Sequence, residues 1–455
     1  MADRDSGTGV RVGVSPRYVE AFERMMLDGS TGRLGGSASR GLEERRRQAF
    51  DRFATVGFPT TKQEDWRFTP VTPIAQHDWD TGVSATRRLD VSALDLEPFR
   101  FGDPSWCTLV FVDGVFSPEL SNRPTPPNGV VVQPLGEALE QSADLVERLF
   151  GQVATDQVTP FSAFNAAFLS DGALIRIPAG VEVGDPIHLL FVASPGAADQ
   201  ARNIRNLILV ERGARAQVVE SYVGLGAATS FTNAVTEVSV AAEAWVEHTR
   251  IQREAEAAFH VGLTSVDQER ESHYRSFTLS MGARLARHDL QTRLDGENVE
   301  SLLYGLYLGR GDQLVDNHTA IFHDYPNCRS WEVYKGILDG KSHAVFNGKV
   351  FVRPEAQKTD AKQTNRNLLL SDGARVDTKP QLEIFADDVK CTHGATVGRI
   401  DEIAYYYLQS RGIPRAEAQR ILTYAFAAEV VEEVASPLVR QALDRLVRER
   451  MGVRP

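Results

Sequence analysis

A chain of 455 residues is long enough for about two to four domains and a substantial buried core. Its 42% hydrophobic and 24% charged residues exclude wholesale disorder, and a formal net charge of −11 argues against a general binder of nucleic acid or anionic membrane. No apolar run reaches the roughly 18 residues that a membrane span needs, and the start lacks a secretory apolar core, so the expected compartment is the cytoplasm.

Residues 1 to 15 carry glycine, serine and charge and read as a frayed start. From Pro16 the pattern turns helical, with Tyr18, Phe22 and Met25 or Met26 at three-to-four spacing and Gly29 as the stop. A glycine-rich polar loop follows, then a second helix from Leu42 to Val56 with Phe50 and Phe53 on its apolar side. The segment E-D-W-R-F-T, Glu64 to Thr69, places Trp66 and Phe68 as packing anchors. This mainly helical N-terminal region is assigned residues 1–105.

From Trp106 the texture becomes β-type. Cys107 sits in the strand-like W-C-T-L-V-F-V and reads as a small buried hydrophobe, whereas Cys328, in D-Y-P-N-C-R-S-W, reads as a turn thiol. With Cys391 they make three cysteines, too few and too far apart to staple the chain, so all are expected to be reduced. A helical insertion near 135–170, starting with an amphipathic helix from Leu135 to Val153, interrupts a β region that spans 106–390.

Turn phrases recur through that region, and Gly282, Gly311, Gly340 and Gly373 stand roughly 30 residues apart, in the range of repeat architectures. Short strands, a recurring glycine turn and no long helices between them favour a β-solenoid. The pairs Asp339-Gly340, Asn347-Gly348 and Asp372-Gly373 keep a hairpin-built β-sandwich open. His318 and His323 lie five apart, an odd separation that puts them on opposite faces of a strand and weakens a shared metal site. Gln363, Asn365 and Asn367 alternate with other residues in a polar stretch, as an amide ladder would, or as a strand edge that pairs with a partner.

The stretch A-D-D-V-K-C-T-H-G-A-T-V-G, Ala386 to Gly398, marks the junction of β-type and helical sequence. If Val389 to His393 is extended, Cys391 and His393 share a face and offer half a transition-metal site, because a closed site wants four ligands. The C-terminal region, assigned residues 391–455, is helical. Ile400, Ile403, Tyr407 and Leu408 form a stripe, Pro414 opens the next helix, and Leu438, Leu443 and Leu446 line the last. No phosphate-binding loop, G-x-S-x-G or H-E-x-x-H occurs, so neither bound nucleotide nor an active site of its own is expected.

The runs N-A-A-F-L-S-D-G-A-L-I-R-I-P-A-G-V (Asn165 to Val181), E-D-W-R-F-T, Q-K-T-D-A-K-Q-T-N-R-N-L-L-L-S, D-D-V-K-C-T-H-G-A-T-V-G and Y-Y-Y-L-Q-S-R-G-I-P together resemble the SufB/SufD family of iron–sulfur cluster assembly proteins. Few cysteines, and glycine after the histidine, make the chain similar to the SufD branch. The resemblance implies a right-handed parallel β-helix flanked by N- and C-terminal helical domains. It also implies pairing with a SufB-type β-helix protein, docking of a SufC-type ATPase on the C-terminal helices, and a transient iron–sulfur cluster shared with SufB. By motif, His393 matches the SufD histidine implicated at that interface, with Cys391 as a second candidate ligand. Arg411, Gly412, Ile413, Pro414 and Phe426 are the implied partner-binding residues. On this resemblance the chain is a non-catalytic scaffold. The rival readings are a SufB-like scaffold acting as a homodimer and a carbohydrate-active β-helix protein, which needs clustered carboxylates on one face.

Overall fold

A computed structural model of the chain describes residues 14–27, 40–82, 91–101, 105–126, 129–155 and 158–453. The Gly29 stop, most of the glycine-rich loop after it and nearly all of the frayed start lie outside these residues. Among the described residues no helix is long and apolar enough to cross a membrane.

The architecture is a parallel β-solenoid. From Ala173–Ile177 onward successive strands alternate between a nine-stranded and a ten-stranded sheet, and from Ala201–Val210 to Asp360–Leu369 each strand pairs with the strands two before and two after it in sequence. From Ile187 to Gly398 every strand pairing is parallel. Parallel pairing removes the sandwich reading: Asn347 and Gly348 lie within the strand His343–Val352 instead of turning a hairpin. Antiparallel pairs occur only at the start of the solenoid, where Val115–Phe116 folds back on Thr108–Val112 and Val131–Pro134 on Ala173–Ile177.

One turn of every coil is held in the same way, although its sequence changes. Gly180, Gly213, Glu243, Glu271, Asn298, Asn327 and Lys358 all take positive φ. Each donates its N–H to the carbonyl of Arg212, Ala242, Arg270, Glu297, Pro326, Gln357 and Asp388, respectively, in the next coil. A non-glycine residue there costs roughly 1–2 kcal/mol, offset by a main-chain bond that the stacked coils need. Of the four glycines with visible spacing, Gly311 and Gly340 occupy left-handed turns. Gly373 is instead held by close approach, since a Cβ there would stand 2.6 Å from the Gly340 carbonyl oxygen.

Three apolar layers follow from the two faces of each strand. One core fills the solenoid interior from Leu109 to Ala386. A second lies where the N-terminal helices Pro16–Leu27 and Arg40–Val56 and the helix Pro160–Ala167 cover the nine-stranded sheet, with Phe22 stacked on Phe50 at 4.1 Å. A third lies where Arg415–Val431 and Pro437–Met451 cover the ten-stranded sheet through residues such as Val430, Leu443, Phe277 and Leu306. The expected single helix from Leu135 is two, Leu135–Gln141 and Ala143–Leu149, broken at Ser142. Leu438 lies 44% exposed, and its neighbour Val439 faces the core instead.

Interior glycines set the spacing of large side chains. A Cβ on Gly336 would fall 2.1 Å from the Tyr307 ring and 2.4 Å from Asn367 Oδ1. Gly336→Ala is therefore expected to destabilise the protein by about 1–3 kcal/mol, read as a lower denaturant midpoint with an unchanged slope.

Candidate functional site

The last strand, Lys390–Gly398, pairs on one side only, with Asp360–Leu369. Its threonines and valine suit an extended, half-exposed chain. It runs through Gly398, so the β region continues past the 391 boundary drawn from sequence. In the other sheet Arg375–Ile384 is likewise the end strand. The solenoid thus finishes at an open mouth with two strand edges.

Side-chain parity decides what the mouth presents. Ala361, Gln363, Asn365 and Asn367 are buried while Lys362 and Arg366 are exposed, so the odd positions of that strand face the interior. Register places Cys391 beside Ala361 and His393 beside Gln363. Cys391 packs against the interior core, and His393, two residues on, continues the same inward row. As no described residue pairs with the free edge of the final coil, His393 is solvent-exposed and Cys391 half-buried. Burial pushes the Cys391 thiol up, and the Cys107 and Cys328 thiols up to about 11. All three cysteines are free. Among the described residues no group of three or more His, Cys, Asp or Glu could hold a metal ion. The mouth thus presents the thiol of Cys391 and the imidazole of His393 on one inward row.

Beneath His393 the same inward row continues with Gln363 and then Glu332 in register. Gln363 Nε2 donates to Glu332 Oε2 at 2.8 Å. Burial lifts the Glu332 carboxyl to about 7. The amides of Asn365 and Asn367 form a closed set with Tyr307: Asn365 Nδ2 donates to Tyr307 OH, Tyr307 OH to Asn367 Oδ1, and Asn367 Nδ2 to Asn365 Oδ1, at 2.9, 2.5 and 2.6 Å.

The other sequence candidates lie apart from the mouth row. Arg411 and the turn from Gly412 to Pro414 are exposed except for half-buried Ile413, and Arg411 donates to the Tyr407 hydroxyl at 2.8 Å. Phe426 is half-buried and packs on the core between the C-terminal helices and the ten-stranded sheet. There its carbonyl accepts from Lys335 at 2.9 Å. Its ring therefore braces the helix against its own solenoid. The helix Glu402–Gln409 buries Tyr405 and leaves Ile403 and Tyr406 each 75% exposed, so of the sequence stripe Ile403 and Tyr407 face away from the core while Ile400 packs against it. Phe385 and Val397 add 58% and 46% exposed apolar side chains at the strand edges. Sequence alternation could not flag them, because their neighbours in earlier coils are covered.

His318 and His323 separate as parity demands. His323 is interior, with burial lowering its imidazole to about 4, and His318 faces the N-terminal segment. There Arg287 lies over the Trp66 ring at 3.7 Å and pairs with Asp289 and Asp316, and Thr69 donates to Asp316 at 2.5 Å. Against the upward push of burial, His318 and Arg287 hold the Asp316 carboxyl down to about 2. The E-D-W-R-F-T segment is thus a clamp between the N-terminal region and the nine-stranded sheet.

The family described as SUF system FeS cluster assembly, SufBD core domain, matches residues 192–426, and the SufBD protein N-terminal region matches residues 26–189. An iron–sulfur cluster assembly SufBD family protein of Synechocystis is 34% identical over 88% of this chain and 89% of its own length. Iron–sulfur cluster assembly protein SufD of Escherichia coli is 32% identical over 89% and 92%, and SufD of Bacillus subtilis 29% over 71% and 74%.

The Glu332 carboxyl generates a pH prediction. Its folded proton affinity exceeds that of an unfolded glutamate, which titrates near about 4.3. The stability it contributes is therefore present at low pH and is lost as pH rises through about 7. Glu332→Gln is expected to gain stability relative to the native chain between pH 5 and pH 8, by roughly 1–3 kcal/mol, in parallel urea titrations.

Proposed function

The chain belongs to the SufBD family of iron–sulfur cluster assembly proteins, and from that premise we propose that it works as the SufD-type, non-catalytic scaffold subunit of a SufBCD-type complex. The observation that carries this reading is the mouth of the solenoid, where a strand edge without a partner strand presents His393 and Cys391 as an incomplete ligand set. A SufB-type β-helix set edge to edge against this mouth would pair the free main-chain groups, cover Phe385 and Val397, and bring the missing thiolate. His393 is then this chain's ligand to the nascent cluster, and Cys391 a second, less exposed one. A Cβ on Gly394 would meet nothing within 4 Å, so the chain's own packing does not require glycine there, and a closely approaching partner would use that space.

The ATPase partner docks on the C-terminal helices. Exposed Ile403 and Tyr406 and the turn Arg411, Gly412, Ile413, Pro414 form its surface, with Phe426 behind them as support. Those helices are tied to the ten-stranded sheet by Arg275 to Glu433 at 2.8 Å and by Lys335 to Glu429. The same sheet ends in the strand that carries His393. ATP-driven closure of two docked ATPases would load that sheet, and hydrolysis would relax it, shifting the mouth between closed and open arrangements.

Co-expression with the SufB-type and SufC-type partners tests the reading. His393→Ala is expected to leave the complex intact on size exclusion and to remove the visible absorption of the anaerobically reconstituted cluster; an unchanged cluster would place the chemistry wholly in the partner. Replacing Ile403 and Tyr406 together by aspartate is expected to weaken ATPase binding by about tenfold or more, with the β-helix pairing retained.

A further inference from the structure

Gln363 is the buried amide that the ladder does not explain. The amides of Asn365 and Asn367 bond with Tyr307 and with each other. Gln363 donates through Nε2 to Glu332, and among the described residues its buried Oε1 has no hydrogen-bond partner. A buried acceptor left unmatched costs about 1–3 kcal/mol. Room for this side chain is made across the lumen by Gly348, where a Cβ would fall 2.1 Å from Gln363 Nε2. On the next coil, in direct register and on the same inward row, stands His393. The other inward positions of that last strand are Cys391, over Ala361, which brings only a weak thiol donor, and Ala395 and Val397, over Asn365 and Asn367, which bring none.

We propose that Gln363 is the positioning residue of His393: its Oε1 accepts the proton of one imidazole nitrogen and leaves the lone pair of the other aimed out of the mouth. Neutral imidazole has one donor and one acceptor nitrogen, and the hydrogen bond made by the first decides which is free to ligate. Side chains that hold a ligating histidine this way set both ring orientation and basicity. Glu332 acts one coil further in, by accepting from the Gln363 NH2 group and so leaving its oxygen free for the imidazole. The value of this arrangement for cluster assembly rests on the reading of His393 as a ligand; the positioning itself does not.

The full-length chain, with nitrogen-15 in its histidines, reports the tautomer directly, His393→Ala identifying the signal. A single tautomer is expected in the native protein. Gln363→Leu, which keeps the volume and removes the acceptor, is expected to give a mixture. Gly348→Ala, which displaces the Gln363 amide, is expected to do the same, and Gln363→Glu, which retains an acceptor, to preserve the native form. In the complex with both partners, Gln363→Leu is expected to lower cluster yield severalfold with assembly unchanged, and Gln363→Glu to restore it. If the histidine signal is the same in native, Gln363→Leu and Gly348→Ala chains, the inference is overturned, whatever the cluster does. If the tautomer responds but His393→Ala still builds a cluster, positioning stands and the ligand reading of His393 falls.

Discussion

Main-chain pairing between coils is the constraint on which the rest depends. In a parallel solenoid each strand must satisfy its N–H and C=O groups with the coil before and the coil after, so one register runs from end to end. The bonds from the positive-φ residues extend that rule to the turns, and they explain why glutamate, asparagine or lysine is tolerated where glycine fits most easily. A solenoid cannot close on itself, however, and its last coil inherits unmatched groups. Here those groups coincide with the thiol and imidazole of the 386–398 motif.

Because register is fixed, side chains at one strand position stack into rows, and a row can be apolar only if every coil supplies an apolar residue. Several interior rows do not, and their polar groups pair within the lumen. Glu254 accepts from His260 Nδ1 at 2.6 Å, and burial lowers that imidazole against the opposing pull of Glu254. Glu220 accepts from the hydroxyls of Tyr222 and Thr236 at 2.8 and 2.7 Å. Removing one member of such a set would leave its partner buried without compensation. The row that ends in His393 belongs to the same design, with the buried Gln363 amide donating to Glu332 in the coil before it.

The outer faces divide the labour differently. The nine-stranded sheet carries the N-terminal region, clamped by Trp66, Arg287 and Asp316, and the ten-stranded sheet carries the C-terminal helices through a large apolar contact and ion pairs from Arg275, Lys335 and Arg366. Only the second of these sheets contains the candidate ligand strand. The C-terminal helices and His393 therefore sit on one hydrogen-bonded sheet, while the N-terminal clamp lies on the other.

Much was legible in the residues alone. Three-to-four spacing of Tyr18 and Phe22, and of Phe50 and Phe53, marks helices because only one face of each can be buried. The change at Trp106 to short β-type runs with recurrent turns marks a repetitive β architecture, and the Cys391–His393 spacing places both on one face of a strand. Local sequence could not decide which face looks into the lumen, because alternation is symmetric until a neighbouring strand is assigned. Nor could it separate hairpins from coils: Asn347-Gly348 satisfies a hairpin turn as well as an interior gap for Gln363, and only long-range parallel pairing selects the second. The exposure of Ile403 and Tyr406, the inward packing of Phe426 and the orphaned oxygen under His393 depend on contacts between residues far apart in the chain. Composition and periodicity determined what kinds of surfaces this chain can make; the tertiary structure decided which of them are left without a partner.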